Sequence, residues 1–149
     1  MTSRNLDIYN VQNALLTAFP ELQDQIWTAF GDVYDLTKGT PEETPETYPV
    51  FEGVVAKLLF ELLRSGKDDN LTRRLFIFFE DMANSPDPSV SRDLLGIAIL
   101  EPLVFDKKIL SKAWKYMGPK MKEQAVIEAN NQDRIENLPP DYDKDVLPH

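Results

Sequence analysis

The chain has 149 residues, no cysteine, one histidine, and 25 Asp and Glu against 16 Lys and Arg, for a net charge of −9. That length suits one domain able to bury roughly two thirds of the surface its unfolded chain exposes, and the missing thiols exclude disulfides, thiolate metal sites and thiol nucleophiles. The charge repels a nucleic-acid backbone and favours basic partners; no apolar run approaches the roughly 18 residues of a membrane span; and residues 1–10 lack the apolar core of a secretion signal, so the expectation is a cytoplasmic protein that binds neither nucleic acid nor membrane.

In chain order, Ile8, Val11, Leu15, Leu16 and Phe19 recur at helical spacing. Pro20 interrupts them and fits the first turn of a second helix over residues 21–30, with Leu22, Ile26, Trp27 and Phe30 inward and Gly31 as its stop. Residues 31–49, GDVYDLTKGTPEETPETYP, set Asp32, Asp35, Glu42, Glu43 and Glu46 against Lys38 alone and offer little to bury, so they read as an exposed acidic loop. Loops of that length are uncommon inside compact domains and are often functional when ordered. Periodicity returns with Phe51, Val54, Val55, Leu58, Leu59 and Leu62, widened by Phe60 and Leu63 and stopped by Gly66.

Residues 71–83 align Leu71, Leu75, Phe78, Phe79 and Met82, with Ile77 on the opposite side, which predicts a central helix covered on more than one side. Residues 60–78 also align without a gap onto residues 79–97, a period of 19. Phe60 pairs with Phe79, Glu61 with Glu80, Asp68 with Asp87, Arg73 with Arg92 and Leu75 with Leu94. In each copy an Asp stands where its carboxylate can cap the next helix, and Pro88 suits a first helical position. A helix and turn repeated in this way stack as antiparallel rods, and "SPDP" is the joint between two of them.

After Pro102, expected to end or kink its helix, residues 107–117 turn Leu110, Ala113, Trp114 and Met117 inward. Residues 107–122 carry Lys107, Lys108, Lys112, Lys115, Lys120 and Lys122 with no acid among them. Gly118 and Pro119 stop one helix and start the last, which holds Met121, Ala125 and Ile127 and fades near Asn130. Residues 131–149 read as an acidic, flexible tail unless Leu138, Val146 and Leu147 dock it. The predicted fold is all-α: a single domain over residues 1–130 of six to seven antiparallel helices, packed as a HEAT-like right-handed α-solenoid or as an irregular bundle.

Motifs that hint at chemistry have plainer explanations. Asp141, Asp143 and Asp145 begin like a calcium loop, but Val146 stands where a glycine is needed and no twelfth-position glutamate follows. PPDY at 139–142 is a short WW-ligand match of the kind that arises by chance. Asn70-Leu71-Thr72 reads as a helix start and not as a glycosylated sequon. The only histidine is His149, Glu61 and Glu80 read as solvated helix faces, Arg73 and Arg92 as inter-helix binders, and Trp27 and Trp114 as core. No enzyme, metal or cofactor is expected.

"MANSPDPSVSRDLLGIAILEPL" resembles the turn and second helix of a HEAT-type repeat, with Asp87, Val90 and Arg92 in the usual places and Ser91 as a departure. The order AFPEL, acidic loop, LLFELLRSG, RRLFIFFEDMANS and ILEPL is similar to small acidic all-helical immunity proteins of bacterial polymorphic toxin systems. That resemblance implies a cytoplasmic protein that masks a toxin by direct binding. The partner would be a basic toxin domain, met by Asp32, Tyr34, Asp35, Leu36, Glu42, Glu43, Glu46 and Tyr48. The alternative expectation is a helical scaffold or regulator that uses its lysine-bearing C-terminal helices, Lys112 and Lys115 among them, against an acidic partner.

Overall fold

A computed structural model describes residues 4–30 and 47–147, which form seven helices and no strand. Helix α1 is Val11–Ala18, and a tight turn at Pro20–Leu22 leads into α2, Gln23–Phe30. Helix α3 runs without a break through Thr47–Val50, Phe51–Val55 and Ala56–Ser65. It thus begins inside the stretch expected as a loop, because Pro49 occupies its first turn, where a missing N–H costs nothing. Gly66, at φ 64°, closes α3 in the left-handed conformation that glycine adopts without strain, and its N–H donates to the Leu62 carbonyl at 2.8 Å.

Helix α4, Asp69–Ala83, is capped by Asp68, whose carboxylate accepts from the Leu71 N–H at 3.0 Å. Helix α5 passes through Ser89–Leu100 and Glu101–Val104. Pro102 does not end this helix. The preceding turns are wide, with the Glu101 N–H donating to the Gly96 carbonyl five residues back, and this register accommodates a residue that lacks its own N–H. Helix α6, Lys107–Trp114, is capped by Asp106 through the Ile109 N–H at 3.1 Å, and α7 is Pro119–Asn131.

Helices α4 and α5 pack on each other, α7 lies against both, and α3 touches α4, α5 and α6. Phe19 meets Phe78 edge-on at 5.9 Å, and Phe76 meets Phe79 at 5.5 Å. Helix α4 buries a broad face, but through Phe76; Ile77 is 58% exposed, so the covering expected for it is not there. One polar side chain in this core is costly: the amide of Gln12 is buried and finds no hydrogen-bond partner among the described residues.

The 19-residue correspondence survives as a local device. Thr72 donates its hydroxyl to the Asp68 carbonyl at 2.8 Å, and Ser91 does the same to Asp87 at 3.3 Å. Asp87 also accepts from the Ser89 N–H at 3.0 Å and from the Ile8 N–H at 2.9 Å, tying the N-terminal segment to the start of α5. Arg74 carries the inter-helix hydrogen bonds, pairing with Glu21 at 3.0 Å and reaching the Ala18 carbonyl at 2.9 Å, whereas the Arg73 guanidinium bonds Asp69 of its own helix at 2.7 Å and lies over the Tyr116 ring, 5.4 Å from its centre. The C-terminal segment lies on the body: Leu138 is buried, Tyr142, Val146 and Leu147 pack against the core, and the Asn137 amide donates to the Val104 carbonyl at 2.8 Å.

Candidate functional site

Because residues four apart share a helix face, Tyr48, Glu52 and Ala56 form one stripe on α3, and Asp93, Ile97 and Glu101 form another on α5 that continues into Phe105. The two helices are neighbours. Between them Glu52, Ala56, Ile97, Glu101, Pro102 and Phe105 wall an open concavity of about 420 Å³. Its apolar members are not fully covered: Ile97 is 48% and Phe105 47% exposed, large hydrophobic side chains left facing outward from otherwise buried surroundings. Its rim is acidic.

Tyr48, in the first turn of α3, is half-buried and packed against the core. Burial first, and then the carboxylates of Asp93 and Glu52, push its hydroxyl above the usual tyrosine range. Below the groove, Glu128 of α7 points toward α5. A side chain at Gly96 would come within 3.1 Å of the Glu128 Oε2, so the glycine makes room for this carboxylate. Burial, helped by Glu101, pushes the Glu128 carboxyl up against the opposing hydrogen bond from Gln132. At the far end the Arg134 guanidinium lies over the Phe105 ring, 4.7 Å from its centre.

Of the residues expected to meet a partner, Asp32, Tyr34, Asp35, Leu36, Glu42, Glu43 and Glu46 lie outside the described residues, and Tyr48 lies in the first turn of α3, half-buried. Glu61 and Glu80, weighed as a carboxylate pair, have different situations. Glu61 is exposed on α3, while Glu80 accepts from the Met121 N–H at 2.7 Å and the Lys120 N–H at 3.2 Å, capping α7 from across the fold. Trp114 is buried, as its spacing indicated. The lysine-bearing side has a smaller concavity of about 210 Å³, lined in part by Arg64, Lys112, Lys115 and Tyr116. There the Tyr116 hydroxyl donates to Asp69 at 2.7 Å, so one carboxylate already answers part of that positive charge.

Sequence reasoning missed Ile97 and Phe105. Helix α5 is apolar almost all round, with Val90, Leu94, Leu95, Ala98, Ile99 and Leu100 buried, so hydrophobicity alone does not mark Ile97 as outward. The four-residue spacing of Asp93, Ile97, Glu101 and Phe105 was the available signal.

Residues 13–133 match the family described as "Domain of unknown function (DUF7674)", and the chain belongs to that family. No curated protein and no solved structure matches the chain.

Proposed function

We propose that this member of the DUF7674 family is a non-enzymatic binding protein of the immunity type, which neutralises a basic toxin domain by direct contact in the cytoplasm. The observation that carries the reading is the acid-rimmed apolar groove between α3 and α5. Apolar area supplies affinity where it is desolvated, and surrounding charge supplies steering and partner choice. The acidic segment that precedes Tyr48 in the chain, with Asp32, Asp35, Glu42, Glu43 and Glu46, adds negative charge that steers a basic partner over long range. We favour an irregular bundle over a solenoid. Helix α7 lies on both α4 and α5, and α3 reaches α6, whereas solenoid repeats meet only their sequence neighbours.

The test begins with the neighbouring genes, where the reading expects a toxin domain and where its absence would remove the reading; association with that domain is then followed over a range of salt concentrations. Neutralising the five loop carboxylates together lowers kon roughly tenfold or more and flattens its salt dependence. An unchanged kon removes the loop as the steering element, and no binding by the unaltered chain removes the immunity reading. A second reading, an acidic partner on the lysine-bearing side, draws on the concavity lined by Arg64, Lys112 and Lys115. It requires that K112E/K115E abolish partner binding.

A further inference from the structure

We infer that the groove between α3 and α5 is the seat of a basic amphipathic helix contributed by the partner, its apolar side chains against Ile97 and Phe105 and its lysines or arginines against Glu52, Asp93 and Glu101. The inference rests on the binding reading above and specifies what is bound.

Three observations select this occupant. The described residues contain no strand, so they offer no sheet edge for an extended peptide to join, and recognition there must work through side chains. The stripe on α5 spans thirteen residues from Asp93 to Phe105, about three helical turns, which suits a partner helix of similar length with anchors spaced three or four apart. The walls combine apolar Ala56, Ile97, Pro102 and Phe105 with the carboxylates of Glu52 and Glu101, the chemistry that complements a helix with one hydrophobic stripe flanked by cations.

The chain itself shows that this rim accepts a cation. Arg134 already lays its guanidinium on Phe105, in the way a partner's arginine would at the same ring. A cation placed by Glu101 also relieves the crowding between Glu101 and Glu128. A second copy of this chain is a poor occupant. Among the described residues the strongly basic amphipathic helix α6 has Ile109, Leu110, Ala113 and Trp114 buried in its own core, and a chain of net charge −9 repels its copy.

The experiment uses the full chain and three labelled synthetic 14-residue peptides, followed by fluorescence anisotropy and circular dichroism. The first has leucines at helical spacing flanked by lysines, the second has the same composition scrambled, and the third has glutamate for every lysine. The first peptide binds and becomes helical, while the scrambled and acidic peptides bind at least about tenfold more weakly, a loss on the order of 1.4 kcal/mol. I97A/F105A weakens the first peptide by at least a similar factor, and E52Q/E101Q weakens it and reduces its salt dependence. Light scattering of the free chain reports a monomer. Equal binding of the scrambled peptide, no binding of the first, indifference to the groove substitutions, or a dimer that I97A/F105A dissolves each overturns the inference. The two readings fail separately. If I97A/F105A leaves binding of the neighbouring toxin domain intact, the groove is not the seat and the binding reading stands.

Discussion

Two apolar sides of this molecule are treated in opposite ways. Along α6 and α7 the chain lays its own C-terminal segment, burying Leu138 and resting Tyr142, Val146 and Leu147 on the core. Between α3 and α5, Ile97 and Phe105 stay nearly half exposed, with only the Arg134 guanidinium noted over the Phe105 ring among the described residues. Both sides carry acids nearby, Asp141 and Asp143 on one and Glu52 and Glu101 on the other, so charge alone does not explain the difference. Apolar surface left open beside surface that the fold covers fits the contact proposed for this groove.

Substitutions that treat the two sides alike test this contrast directly. Leu138→Ala removes a side chain only 6% exposed and is expected to lower stability by about 2–4 kcal/mol in urea unfolding, because it leaves both lost burial and a cavity. Ile97→Ala removes a comparable side chain at the groove but is expected to lower stability by less than about 1 kcal/mol, since much of its area already meets water. Equal losses at the two positions would make the groove a piece of core and end the contrast. Between these lies Glu80→Ala, which frees two N–H groups at the start of α7, the helix that supports both sides. Its expected loss is about 1–2 kcal/mol, and helix content near α7, followed by hydrogen exchange, should fall with it. Gly118→Ala should act in the same direction, because its new methyl would collide with the Glu80 carboxylate.

The covered side was more legible in the sequence than the open one, and the reason is physical. Helix periodicity reports how much of a face is apolar; residues 131–149 read as a flexible tail, with Leu138, Val146 and Leu147 marked as the residues able to dock it because they stand out in a polar stretch. It also located the helices, the Asp68 cap and the stop at Gly66. It failed at Ile77, whose apolar character suggested cover that its position does not provide, and at Pro102, where wide turns absorb what a regular helix would not. The groove was hidden for a further reason. Its walls come from helices separated by α4, and nothing local to residues 48–56 or 93–105 states that the two stripes face one another. Tyr48 alone was singled out, on account of the acidic stretch before it.

The smallest expected effect concerns two carboxyls on opposite terms with the fold. The N–H groups of Ile8 and then Ser89 hold the Asp87 carboxyl below the usual aspartate value. Its contribution is therefore present above about pH 4 and fades as pH falls through the depressed folded value. Glu128 runs the other way. Burial raises it, so ionisation is penalised in the folded chain; its relative stabilisation is full below the ordinary glutamate value and is lost as pH rises through the elevated one. D87A should therefore lower stability near neutral pH with a deficit that shrinks in acid, and E128Q should raise it near neutral pH with an advantage that vanishes on acidification. Thermal unfolding at several pH values reads both. Adding the basic peptide should leave the Asp87 dependence unchanged and diminish that of Glu128, because a cation beside Glu101 offsets the penalty on the carboxylate beneath it. A Glu128 dependence that the peptide does not alter would place the occupant's charge away from Glu101, toward Glu52 and Asp93.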